Sequence, residues 1–252
     1  MVLYTPVYAL AREAGPAREA VGASEAATIP EQDGTYDEPT ARGIVKVRVI
    51  VHKQKPVVTQ NSLVCNLADP DSTAQVAAAG WRLPSNWTYN LNTRSTPSSV
   101  GSSNTATVAS KSFSDWQSAV SSKVNFSRGS DTTVDRSRYD GLNIVAWGRT
   151  SGSSLGVTYI RYYTSSRLVV DVDTILNKRV AWSWSNSDTC ANSNTYDAEN
   201  ILNHEIGHWM GLDDTYDAAF ADNTMFGYGS KGEVKKNTLT TGDVVGVNAI
   251  YP

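Results

Sequence analysis

The run His204-Glu205-Ile206-Gly207-His208-Trp209-Met210-Gly211-Leu212-Asp213-Asp214 constrains this chain more than any other feature. Residues four apart project from one face of a helix, so His204 and His208 can grip a single metal ion. Glu205 sits at the edge of that face, within reach of a water on the ion. Gly211 adopts a positive φ without steric penalty, which ends the helix and turns the chain back. Asp214, three residues further on, can then close the coordination, with Asp213 as the adjacent competitor. A chance match to this spacing is on the order of 10⁻⁵, and it uses two of the chain's 3 histidines. The spacing predicts a helix from about Tyr196 to Met210, stopped by Gly211.

The donor set points to a chemistry. Two imidazoles and one carboxylate leave a fourth position open, the pattern of a catalytic rather than a structural zinc site. Zinc lowers the pKa of a bound water to about 7. Glu205 is placed to take that proton as general base and to deliver it to a leaving amine. The expected reaction is hydrolysis of a peptide bond without a covalent intermediate. The competing reading is a solvated helix face with incidental histidines.

Composition narrows the class. The 252 residues are enough for one large domain, or a domain with an appendage. Charged residues make up 19% and the net charge is -3, so the basic footprint of a nucleic-acid binder is missing. No apolar run approaches the ~18 residues that a membrane span needs. Val2 to Ala11 is apolar and ends in Ala9-Leu10-Ala11, a cleavage-like site with no preceding Lys or Arg. It reads as the tail of a secretory signal that begins upstream, or as an ordinary apolar N-terminus. Secretion is the expected localisation. The two cysteines, Cys65 and Cys190, then suggest a disulfide. Two buried thiols, or Cys65 as an inhibitory zinc ligand, are the other readings.

Residues 1–79 read as an N-terminal extension and 80–252 as the catalytic domain. Residues 12 to about 42 are rich in Ala, Glu, Gly and Pro and read as linker or pro-segment. Ile44 to His52 alternates Val/Ile with Lys/Arg, a strand with one wet face. His52 ends it and is most simply a surface histidine. Within the compact part, Thr107 to Val120 carries Phe113, Trp116, Ala119 and Val120 at helical spacing. Trp87–Leu91, Val124–Ser127, Leu142–Trp147, Val157–Tyr163 and Leu168–Val172 read as strands. Thr240-Thr-Gly-Asp243 looks like a capping box before a short final helix. Helix, then strands, then two helices is an α+β pattern.

HEIGHWMGLDD resembles the metzincin signature in its aspartate, snapalysin-like variant. Asn223-Thr-Met-Phe-Gly-Tyr228 resembles the family's Met-turn. Leu239 to Tyr251, with Trp116, Asp140-Gly141 and Trp147, is similar to the matrixin-type pattern. The likeness covers about Gly80 to Pro252. It implies a twisted mixed sheet with a backing helix, an active-site helix and a C-terminal helix, with one Zn2+ in the cleft between two subdomains. It implies His204, His208 and Asp214 as ligands, Glu205 as general base and Met225 as a hydrophobic floor, with Gly211 at the turn. Tyr228 is a candidate to stabilise the oxyanion, with Tyr216 as another. An anionic third ligand should weaken the ion's acidifying effect. The expected partner is an extended polypeptide, paired with an edge strand for which Gly156–Tyr163 is the best candidate. The chain is expected to be a monomer. Asp131, Asp135, Asp140, Asp171 and Asp173 could supply calcium ligands, without EF-hand spacing. The alternatives to an active peptidase are a binding or adhesion module on the same scaffold, and a latent zymogen held by the extension.

Overall fold

A computed structural model describes residues 29–41, 43–56, 70–187 and 190–252. Along the chain run β1 (Gly34–Thr40), β2 (Gly43–Gln54), β3 (Asn86–Leu91), α1 (Ser102–Ala119), β4 (Asn125–Arg128) and β5 (Ile144–Gly148). They are followed by β6 (Ser154–Tyr162), β7 (Val169–Asn177), β8 (Trp182–Ser183), β9 (Tyr196–Asp197), α2 (Ala198–Trp209), β10 (Tyr228–Gly229) and α3 (Thr241–Ile250). The main sheet has the order β1-β2-β6-β7-β5-β3-β4. Strands β4, β3, β5 and β7 run parallel, β6 lies antiparallel to β7, and β10 pairs with β2 off the main path. This is a mixed, α+β architecture, as expected.

The sheet separates two apolar clusters. On one face α1 and α2 pack Phe113, Trp116, Trp209 and Ile206 against Leu91, Val145, Trp147 and Leu176. On the other, Val45, Val47, Val49 and Val51 of β2 pack with Ile144, Ala146, Val157 and Tyr159. Two tryptophans tie the helices in by hydrogen bonds: Trp116 Nε1 donates to Asn203 O at 2.8 Å, and Trp209 Nε1 to Thr174 Oγ1 at 2.8 Å.

Helix α2 is buried along all of its residues, so its ends need protein partners rather than water. Asp197 caps the N-terminus by accepting from Asn200 N at 2.9 Å. At the other end Gly211 has φ +97°. Leu212 N donates to Gly207 O and Gly211 N to His208 O, the paired bonds of a Schellman stop. A Cβ on Gly211 would overlap the Trp81 carbonyl oxygen. Helix α3 begins with the capping box read from the sequence, Thr240 with Asp243.

Three expectations change. Gly34–Thr40, within the stretch read as linker, is strand β1. Its backbone groups are satisfied by antiparallel pairing with β2 from Gly34↔Val49 to Thr40↔Gly43, a non-local partner that composition does not reveal. Gly156–Tyr163 is not an open edge. Its strand, β6, is paired on both sides, with β7 and with β2. His52 is not on the surface but has no exposure at all. It lies on the same side of β2 as Lys46, Arg48 and Ile50, and that side runs under α2 at the strand's end. Cys65 lies outside the described residues, so its pairing with Cys190 stays an expectation, and so does the signal reading of Val2–Ala11. No helix among the described residues is long and apolar enough to cross a membrane.

Candidate metal centre

The helical repeat puts His204 and His208 on one face of α2, with their Nε2 atoms 3.1 Å apart. The Gly211 turn brings Asp214 Oδ1 to 3.1 Å from His204 Nε2 and 3.4 Å from His208 Nε2. Each ring is fixed from behind, His204 Nδ1 by Thr224 O at 2.7 Å and His208 Nδ1 by Leu212 O at 2.9 Å. A carbonyl only accepts, so both Nδ1 atoms carry the proton and both Nε2 lone pairs face inward.

Two lone pairs and a carboxylate oxygen thus converge, and Asp214 Oδ1 is buried without an aligned hydrogen bond despite its short contacts. A cation at that point satisfies all three acceptors at once. His204, His208 and Asp214 form one of the two metal-competent groups among the described residues. The donor set and the orphaned oxygen fit a divalent ion such as zinc, with backbone carbonyls as the outer partners that fix imidazole ligands. Asp213 points elsewhere: its Oδ1 accepts from Arg48 Nη2 at 3.2 Å and from Asp214 N at 3.0 Å.

The electrostatics follow from the same contacts. Burial works against charge on His208, but the Asp214 carboxylate outweighs it and pushes the imidazole up to about 9. Burial dominates at His204 and pushes it down to about 3. Burial likewise opposes charge on Asp214, yet the two imidazoles hold its carboxyl well below the usual range. Without a metal, His208 carries the one imidazolium charge and Asp214 the one carboxylate charge, so the three groups are neutral together, and a bound cation takes the place of the proton on His208 Nε2.

Glu205 stands beside this triad, fully buried. Burial pushes its carboxyl up to about 7. A relay orients it: Trp209 Nε1 donates to Thr174 Oγ1, which donates to Thr158 Oγ1 at 2.7 Å, which donates to Glu205 Oε2 at 2.6 Å. Its other oxygen, Oε1, lies 3.3 Å from His52 Nδ1, without the alignment of a hydrogen bond. The His52 ring lies against that of His204, tilted by 31° with centroids 3.8 Å apart. Lys236 Nζ donates to His52 Nε2 at 3.2 Å and to the carbonyls of Phe226 and Tyr228. Burial pushes the Lys236 ammonium down to about 8.

Met225 is fully buried under α2. A Cβ on Gly207 would overlap its sulfur, so the glycine sets the distance between helix and floor. Asp243 of α3 holds the Met-turn in place, accepting from Thr224 N at 2.8 Å and Met225 N at 3.3 Å. Tyr216, rather than Tyr228, has its hydroxyl at the centre, donating to Asp214 Oδ2 at 2.9 Å. Tyr228 packs edge-on against the Tyr216 ring, 5.1 Å away. The carboxylates considered for calcium are engaged otherwise. Asp171 and Asp173 both bind Arg161 Nη1, Asp131 binds Arg128, Asp135 lies 3.9 Å from Lys178, and Asp140 accepts from Leu142 N.

Sequence reasoning missed His52, Lys236, Thr158 and Asp243 as neighbours of the centre. For His52 a signal existed in its parity with Ile50 on β2. For Lys236, a lysine in a polar turn, there was none.

Helix, turn and floor with this geometry define a metal-dependent hydrolase of the metzincin kind. The family model described as Matrixin matches residues 80–252, and the chain belongs to the matrixin family of zinc metallopeptidases. No curated protein matches the chain.

Proposed function

We propose that this protein is a secreted, monomeric zinc endopeptidase acting on extended polypeptides. The observation that carries the reading is the convergence of His204 Nε2, His208 Nε2 and Asp214 Oδ1 beside a buried, relay-held Glu205. His204, His208 and Asp214 would hold the ion, which when bound polarises the scissile carbonyl and acidifies water. Glu205 takes the proton from the attacking water at Oε1, the oxygen not committed to Thr158, and returns it to the departing amine. Thr158 keeps the carboxylate from rotating away. Tyr216, through Asp214 Oδ2, fixes the ligand's second oxygen. Tyr228 is retained as the candidate donor to the developing oxyanion, reached by movement of the Tyr216–Tyr228 pair.

The test is a chelator-reversible assay on an unfolded protein such as a casein-type substrate, with metal content measured alongside. Glu205→Gln should retain zinc and lose at least about a hundredfold in turnover, the scale of a general base. Equal turnover by the two proteins refutes the role. A zinc-loaded wild type with no activity under any condition favours the adhesion-module reading instead.

A further inference from the structure

Among the described residues Lys236 is the only lysine with no exposure. Its backbone is pinned to α2 from both sides: Lys236 N donates to Asn200 Oδ1 at 2.8 Å, and Asn203 Nδ2 donates to Lys236 O at 2.7 Å. The ammonium then has three protons to place. Two go to the carbonyls of Phe226 and Tyr228, and the third goes to His52 Nε2 at 3.2 Å. All three acceptors are uncharged. A buried ammonium held only by neutral acceptors recovers part of its lost hydration, and a carboxylate in the third place would recover more.

The third acceptor stands on an extended strand. Lys46–Lys53 of β2 pair antiparallel with β6, and Lys53–Gln54 pair parallel with β10. Lys53 N and Lys55 N donate to Gly227 O and Gly229 O, at 3.3 and 2.9 Å. Two-sided backbone capture is how peptides bind by strand addition, so position 52 marks where a bound peptide's side chain enters beside the metal ligands. The entry is narrow. A Cβ on Gly229 would lie 3.3 Å from His52 Nε2, 2.5 Å from Leu155 Cδ1 and 2.9 Å from Ile201 Cδ1. Charge is graded with depth. Glu205 Oε1 stands 3.3 Å from the δ nitrogen of His52, and Lys236 Nζ stands 3.2 Å from the ε nitrogen. An anionic oxygen is repelled at the first level and held at the second.

We propose that Lys236 is a specificity-determining residue that selects glutamate as the substrate residue in the place of His52, beside the scissile bond. The proposal rests on the peptidase reading and names its preferred substrate class. Glutamate carries its oxygens at the ε position, the depth of His52 Nε2. Its carboxylate takes the third proton of Lys236 in a charge-assisted bond, roughly twice as strong as a neutral one. Glutamine makes the same contact without the charge. Aspartate ends at the δ position, against Glu205. Leucine fills the space and leaves the third proton unmet, which carries a desolvation cost. Lys236 binds the side chain and takes no part in moving protons to the scissile bond.

The experiment has two arms, both on the full chain. In the first, position 52 is the host site. His52→Glu, His52→Gln, His52→Asp and His52→Leu are each unfolded in urea, with and without zinc, in the wild-type and Lys236→Met backgrounds. Lys236→Met should raise the unfolding constant of the His52→Glu protein at least about tenfold more than that of the His52→Leu protein, the factor for one charge-assisted hydrogen bond. His52→Gln should fall between them, and His52→Asp should behave as His52→Leu. Lys236→Gln, which keeps donors for the two carbonyls, repeats the comparison where Lys236→Met does not fold. In the second arm the zinc-loaded protein meets four unstructured peptides that differ at one residue, Glu, Gln, Asp or Leu, each in excess to compete with β2 for the ladder. Mass spectrometry of the products should place the cut beside the varied residue, with kcat/KM about tenfold higher for glutamate than for leucine. Lys236→Met should erase that preference and still cleave the leucine peptide. Equal unfolding effects across the four substitutions, or cleavage indifferent to glutamate, would overturn the proposal. Coupling in the His52→Glu protein with no peptide cleaved at all would leave the pocket's preference standing and refute the peptidase reading.

Discussion

Gly207→Ala tests the floor of the centre. The residue lies in the last turn of α2 and is fully buried. An added Cβ would overlap the Met225 sulfur and lie 2.8 Å from Trp116 Cζ2 and 3.0 Å from Met225 Cε. Helix propensity favours alanine by about 1 kcal/mol. Overpacking in a close-packed core typically costs about 1–3 kcal/mol, and here two buried side chains are struck at once, so the upper end applies. The net expectation is a loss of about 2 kcal/mol, or about 4–8 °C in Tm for a chain of this size. Because Met225 follows Thr224, whose carbonyl fixes His204, displacing it should also weaken zinc. Urea unfolding of the metal-free protein gives the first quantity, and competition with a chelator gives the second. Adding Met225→Ala should reverse part of the loss, since the new methyl then meets space, and the double-mutant cycle should show favourable coupling. A Gly207→Ala protein as stable as the wild type, with unchanged zinc affinity, would refute the reasoning.

Three further outcomes are expected. Asp214→Ala should lose zinc and Asp213→Ala keep it, because Asp214 Oδ1 meets both imidazoles while Asp213 meets Arg48; mass-spectrometric metal content decides, and the reverse pattern reassigns the ligand. Tyr216→Phe should weaken zinc about tenfold, as loss of an outer partner does, measured by chelator competition; no change would mean that the bond to Asp214 Oδ2 has no hold on the ligand. Burial pushes Asp197 up to about 7, and a carboxyl raised on folding stabilises most below its unfolded pKa of about 4 and loses that contribution as pH rises through about 7. Asp197→Asn keeps a capping acceptor and removes the titration, so urea unfolding should show the variant gaining on the wild type between pH 5 and 8, whereas a constant difference would refute the shift.

What was legible in the sequence is what local geometry fixes. The i, i+4 histidines, the glycine stop and the capping box at Thr240 depend on bonds spanning a few residues, and their elements lie within two or three residues of the predicted bounds. Strands β3 to β7 were legible, although β7 runs to Asn177, past the expected end at Val172, and the two-residue strands β8, β9 and β10 carry too few residues to show a pattern. Hairpin strand β1 was not, because its short, mixed sequence is extended only by pairing with β2. His52 was misread for a related reason. Its polar side of β2 is wet at Lys46 and buried at His52, and only the position of α2 over the sheet makes that difference. Lys236 and Thr158 reach the centre across long sequence separations that no spacing rule captures.

The two-sided ladder around β2 has a consequence for whatever chain takes its place. That chain must present one backbone edge bare to β6 along the stretch equivalent to Lys46–Lys53, and the other bare to β10 at the equivalent of Lys53–Gln54. A helix has spent those groups internally, and a strand within a sheet shares them with neighbours. A folded protein therefore becomes a substrate only while a segment of it is open, and its rate of destruction follows the equilibrium of that opening when opening is fast. Such a cleft ranks its targets less by their side chains than by how often they come undone.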